Sequence, residues 1–157
     1  MTHITTYLTF KENAEAAANL YVSLFDNSRI LSVFHFDASS KGMSAPAATV
    51  EFELQSVRYT AMDGGEHFAF SDGISLQVMC DDQAQVDKLW NGLTADGGKE
   101  GQCGWLHDKY GLAWQIIPKR MMELMGSGTP EQAGRVMAVV QQSQKLNIAE
   151  LEAAFEG

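Results

Sequence analysis

Cationic side chains are scarce in this sequence. Eleven lysines and arginines face twenty aspartates and glutamates, leaving a formal net charge of −9. Nucleic-acid binding relies on a basic face that neutralises phosphates, so this balance argues against it. The same sign disfavours an anionic membrane surface. Cysteine is as sparse: Cys80 and Cys103 are the only two, and they form neither a CxxC pair nor a disulfide framework. Nothing approaches the length of a transmembrane helix, and Met1 leads into a strand-like stretch without a signal peptide's basic start or apolar run. A reduced, cytoplasmic protein is the expectation. Histidine numbers four (His3, His35, His67 and His107), none at a metal-binding spacing from another.

What is present is ordinary for a globular fold. The 157 residues, 45% of them hydrophobic, suffice for one domain or for two small modules sharing a core. Residues 4–10 alternate enough for a half-buried strand, after which Asn13 can cap a helix bearing Leu20, Tyr21, Leu24 and Phe25. Strands are expected over 30–36, 48–54 and 57–62, with a small, polar loop at Ser39 to Pro46 and an Asp63-Gly64-Gly65 turn. The pattern then restarts. Ile74, Leu76, Val78 and Cys80 alternate with Ser75, Gln77 and Met79. Asp82 and Gln85 form a capping box ahead of Val86, Leu89, Trp90 and Leu93, one apolar helix face that Gly97-Gly98 stops. Short strands are expected around 101–106 and 112–117.

Asn13 and Asp82, Leu20-Tyr21 and Leu89-Trp90, and Leu24 and Leu93 all stand 69 residues apart. The repeat suggests a duplicated βαβββ unit. After Pro118 the character changes. Thr129-Pro130-Glu131-Gln132 is a capping box with proline at the first helical position, and Asn147 with Glu150 repeats the logic. These two helices are read as an appendage over 121–157, packed on the core or on a second subunit, with Met121, Met122 and Met125 as adaptable packing. The domain expectation is therefore 1–120, split into modules of about 1–65 and 66–120, plus the appendage.

The run from Cys103 to Pro118, CGWLHDKYGLAWQIIP, is the most diagnostic stretch. It is similar to the C-G-W-x-x-D-x-[FYW]-G-x-x-W-Q-[IV]-x-P signature of PhnB-like proteins, a branch of the vicinal-oxygen-chelate (glyoxalase/bleomycin-resistance) superfamily. Many of these carry the label 3-demethylubiquinone-9 3-methyltransferase. Met62-Asp63-Gly64-Gly65, His67-Phe68 and Ser75-Leu76-Gln77-Val78 add to the resemblance, which extends to Asn147-Ile148-Ala149-Glu150-Leu151. It implies an α+β fold of two βαβββ modules, each a curled mixed sheet around a shared cleft, plus C-terminal helices. It also implies a homodimer. Metal enzymes of the superfamily draw His or Glu ligands from four strands. Here those positions fall near Thr5, near Gly73 and at Gln115, the fourth being unassigned; a neutral amide is a poor substitute for imidazole, thiolate or carboxylate. No bound metal and no cofactor are expected.

If the apolar residues of each strand face the helices, their alternates face the cleft. That places Thr5, Tyr7 and Thr9, then Thr49, Glu51 and Glu53, then Ser75, Gln77 and Met79, then Ala113, Gln115 and Ile117 on one surface. Trp105 could stack on a ligand there, Trp114 belongs to the core, and His67 stands at a cleft mouth, whereas His107 reads as a solvated loop residue. Such a lining suits a small polar or amphipathic molecule. Glu51 and Glu53 are the candidates for acid–base work, since two carboxylates in one cleft can push their pKa values apart; the alternative is a solvated strand edge. The pieces Asp63-Gly64-Gly65 and Asp96-Gly97-Gly98 are turns that open no helix, so neither is a cradle for S-adenosylmethionine or a phosphate. Three functions compete: a metal-free binding protein, a small-metabolite enzyme using Glu51 or Glu53 (or, against the donor set, a metal), and a structural dimer whose C-terminal helices serve a partner.

Overall fold

The computed structural model describes residues 2, 4–39, 43 and 46–157. His3 and most of the expected loop at 39–46 lie outside the described residues. The chain divides into two compact units, Met1–Phe70 and Ser71–Gly157.

The first unit runs β1 (Thr6–Phe10), α1 (Ala14–Leu24), β2 (Arg29–Phe36), β3 (Ala47–Leu54) and β4 (Val57–Asp63). Its sheet has the order β1-β4-β3-β2, with β1 parallel to β4 and the other pairs antiparallel. Period-2 alternation sets which face is covered. Leu8 and Phe10, then Val50, Phe52 and Leu54, then Ala61, are buried. The buried face of α1 is Ala14, Ala17, Ala18 and Tyr21, so small residues bring the helix close to the sheet, and the expected Leu20 and Leu24 are only partly buried.

Asn13 does not cap α1. Its backbone is left-handed (φ 71°) and its side chain makes no cap bond. Asp63, fifty residues away, supplies the anion instead. One of its oxygens accepts from the Ala14 N–H at 2.7 Å and the other from the Ala48 N–H at 2.9 Å. A buried carboxylate at a helix N-terminus satisfies an orphan donor and complements the helix dipole. Here it also fastens the start of β3.

The second unit repeats the arrangement: β5 (Leu76–Cys80), α2 (Gln83–Thr94), β6 (Lys99–Glu100), β7 (Trp105–His107) and β8 (Ala113–Pro118), in the order β5-β8-β7-β6. Again the first strand is parallel to the last. The two sheets share one topology, as duplication requires, and both remain open. The segment expected as one strand over 101–106 holds a turn, with Cys103 at φ 61° and Gly104 at φ 81° between β6 and β7. A Cβ on Gly104 would stand 2.9 Å from the Ile116 carbonyl oxygen and 3.2 Å from Leu146 Cδ1, so no side chain fits there. Asp82 caps α2 by accepting from the Gln85 N–H, but Gln85 answers to the N–H of Asp81 rather than of Asp82. Val86, Leu89, Trp90 and Leu93 form the buried face, as their spacing implies.

Past β8 stand three helices, not two: α3 (Lys119–Ser127), α4 (Pro130–Gln142) and α5 (Ile148–Glu156). The Thr129–Gln132 box forms fully, and Asn147 accepts from the N–H groups of Ala149 and Glu150. Leu124, Val136, Val140, Leu146 and Leu151 make a core with Ile117 of β8, and Met121 and Met125 pack against it, whereas Met122 is exposed. The Cys103 and Gly104 N–H groups donate to the Ser143 and Gln144 carbonyls. Gln83 of α2 donates to the Leu146 carbonyl and accepts from the Ile148 N–H. The helices are thereby docked on the second unit of their own chain.

Candidate functional site on the open sheet faces

Each sheet has one face under its helix and one without. On the first, cross-strand register aligns Tyr7, Thr60, Glu51 and Ser32 in one row, and Thr9, Met62, Thr49 and Phe34 in the next. Thr5 stands just ahead of β1. The Tyr7 hydroxyl donates to Met62 Sδ, and the Ser32 hydroxyl donates to Glu51. Glu53 lies 3.6 Å from the Arg29 guanidinium, and Arg58 is its register partner on β4. Glu51 has no such cation among the described residues. The two carboxylates thus share a face, as alternation implies, but stand in different electrostatic surroundings. His67 lies in an exposed turn after β4.

On the second sheet the row is Gln77, Gln115 and Trp105. Gln77 Nε2 donates to Gln115 Oε1 at 3.1 Å, and Gln115 Nε2 donates to Ser75 Oγ at 2.8 Å. Trp105 is the direct antiparallel partner of Gln115 and is only partly buried. Neighbouring rows hold Ala113, His107 and Lys99 on one side, with Ser75 just ahead of β5, and Met79 and Ile117 on the other. His107 is a strand residue, not a loop one, and its Nε2 lies 2.6 Å from Asp72. Ile117 has the expected phase but is covered by the C-terminal helices, which close that end of the face. Gly73 falls in a turn ahead of β5.

The register also fills the fourth-strand position that sequence left open. Gln77 pairs with Gln115 in the second sheet as Tyr7 pairs with Thr60 in the first, which makes Thr60 the counterpart of Gln115. The positions that the resemblance implies for ligands are thus Thr5 and Thr60 on the first unit and Gly73 and Gln115 on the second. Hydroxyls, an amide and a bare glycine do not fit a transition metal, and the amide oxygen is already engaged. Among the described residues, no three His, Cys, Asp or Glu side chains cluster so as to hold a metal ion.

The Asp108–Trp114 part of the diagnostic run is structural. Asp108 is buried; its Oδ1 accepts from the Tyr110 and Leu112 N–H groups and its Oδ2 from the indole N–H of Trp114. Gly111 takes φ 88° in the same turn. Two cavities lie away from the open faces. One of about 370 Å³ is bordered by Asn13 and Asp63, the other of about 470 Å³ by Asp82, Arg120 and Asn147. Both Asp63 oxygens in the first are bonded, and Arg120 in the second is paired with Glu123 and Glu152.

The family described as 3-demethylubiquinone-9 3-methyltransferase matches residues 2–117, so the match stops short of the Asn147 segment that the resemblance was expected to include. No curated protein matches the chain. Among solved structures, a PhnB protein of Bacillus cereus bearing that methyltransferase name as a provisional description is 32% identical, covering 74% of this chain and 99% of its own, with a TM-score of 0.67. Protein PA1353 of Pseudomonas aeruginosa (19% identical, 75% and 98% covered, TM-score 0.52) and the fosfomycin resistance protein FosX of Mesorhizobium loti (12%, 74% and 90%, 0.52) share the fold. The chain belongs to the 3-demethylubiquinone-9 3-methyltransferase family, the PhnB-like branch of the vicinal-oxygen-chelate superfamily.

Proposed function

We propose that this protein binds a small polar or amphipathic molecule on its open sheet faces without a metal. The observation that carries the reading is the bonded row Ser75–Gln115–Gln77 beside Trp105, where a metal enzyme of this fold would present an ionised ligand. Polar groups held in place by neighbours on rigid strands, with an aromatic face alongside, suit orientation of a ligand more than bond-making. On the first unit's own sheet, Thr5, Tyr7, Thr9 and His67 are the corresponding candidates. A homodimer in the cytoplasm belongs to the same proposal; no helix among the described residues is long and apolar enough to cross a membrane.

The methyltransferase name finds no support in the architecture. The sheets are mixed, with the order β1-β4-β3-β2 rather than a doubly wound parallel one, and among the described residues no glycine-rich turn opens a helix after a strand. An enzymatic reading narrows to Glu51, because Glu53 has Arg29 beside it.

Plasma mass spectrometry on the purified protein, before and after incubation with zinc, nickel, manganese and iron, tests the reading. The expected result is less than about a tenth of an equivalent in each case, followed by stabilisation by at least one compound in a metabolite thermal-shift screen. Near one equivalent per chain would overturn it in favour of a metal-assisted enzyme.

A further inference from the structure

We infer that the second sheet's open face takes a flat, uncharged ligand bearing an amide-type edge, a carbonyl beside an N–H, on a ring that stacks on Trp105. The inference rests on the binding reading above and names its ligand class.

Hydrogen-bond accounting carries it. Gln77 gives one of its amide hydrogens to Gln115, and Gln115 gives one of its own to Ser75. Each carboxamide has two N–H donors and an acceptor oxygen. Among the described residues, this leaves over one N–H on Gln115, one N–H and the carbonyl oxygen on Gln77, and the Ser75 hydroxyl proton. Donors and an acceptor remain side by side, all fixed by neighbours on adjacent strands. A partner with only acceptors, such as a carboxylate, would leave the Gln77 oxygen facing a like charge. A lactam or carboxamide edge meets both kinds of group.

The aromatic is placed to match. The Ile116 N–H donates to the Gly104 carbonyl, so the next pair, Trp105 and Gln115, is a non-hydrogen-bonded pair, the kind whose side chains stand closest. A ring lying on the indole would therefore present its edge to the amides. The flanks agree: the C-terminal helices cover Ile117 at one end, and at the other His107 is paired with Asp72, leaving Lys99 at the sheet edge as the lone cation of that row.

The test titrates the full-length protein with nicotinamide, benzamide, uracil and hypoxanthine, and with nicotinate and benzoate as charged counterparts, observing side-chain amide and indole NMR signals. At least one neutral ring is expected to shift the Gln77, Gln115 and Trp105 signals, with the carboxylates at least tenfold weaker. Gln115→Glu should weaken that ligand at least tenfold, and the exposed substitution Gln77→Leu should do likewise if the first variant fails to fold. Carboxylates binding as well or better would overturn the ligand class while leaving the binding reading intact, pointing to Lys99. Silence from these probes, with another metabolite shifting the same signals, would also overturn the class alone. Silence from every compound in the wider screen would overturn both.

Discussion

The buried carboxylate of Asp108 accepts the indole N–H of Trp114 at 2.9 Å, joining the turn after β7 to the middle of the sheet. The same carboxylate closes that turn through two backbone N–H groups. Removing it strands buried donors, which is costlier than losing a bond between exposed groups. Asp108→Ala is expected to cost about 2–4 kcal/mol in urea unfolding. Trp114→Phe in both backgrounds should show a coupling of about 1–2 kcal/mol, measured by a double-mutant cycle.

Asp63 and Asn13 make a paired prediction about one helix end. Asp63→Ala leaves the buried N–H groups of Ala14 and Ala48 unmatched and should lower stability by about 2–3 kcal/mol. Asn13→Gly, at φ 71° and with no cap bond to lose, should be neutral or stabilising by a few tenths of a kcal/mol. Thermal unfolding of both variants checks the assignment. A large loss from Asn13→Gly would return the cap to Asn13.

The C-terminal helices share a core with β8. Leu151→Ala, fully buried there, should cost about 2–4 kcal/mol in a single cooperative transition. Deleting residues 129–157 should expose Ile117 and Leu124 and yield a protein that binds a hydrophobic dye. A truncated chain that unfolds as sharply as the full one would show the helices to be dispensable.

Burial, with Asp81 and Asp82 adding to it, pushes the Cys80 thiol from its ordinary 9.0 up to about 11. The folded state therefore holds the thiol's proton where the unfolded chain has released it. Its contribution is complete below pH 9 and is lost as pH rises towards 11, by at most about 2–3 kcal/mol. Tyr59, raised by its own burial, acts in the same direction, so the comparison is with Cys80→Ala. Stability of that variant should fall less steeply over the same pH range in guanidinium unfolding.

Much of the fold was legible because strand alternation is local. Val50, Phe52 and Leu54 declare one face and so assign Thr49, Glu51 and Glu53 to the other; Leu76 to Cys80 does the same for Ser75, Gln77 and Met79. The Thr129 and Asp82 caps, and the duplication, were readable for the same reason, since each lies within one turn or one repeated spacing. The strand at 101–106 was not, because the turn there is imposed by close approach at Gly104 to β8 and Leu146. His107 was misplaced with it.

What the sequence determined by itself was the family, the repeated strand-and-helix order and the face on which the side chains of β1, β3, β5 and β8 stand. Only tertiary structure decided which groups meet. Asp63 rather than Asn13 caps α1, Ile117 lies under the C-terminal helices, Glu53 and not Glu51 has an arginine beside it, and Gln115 is locked between Ser75 and Gln77. Alternation has a period of two residues and is written along the chain, whereas these partners are set by register between strands 15 to 50 residues apart, which no local pattern encodes.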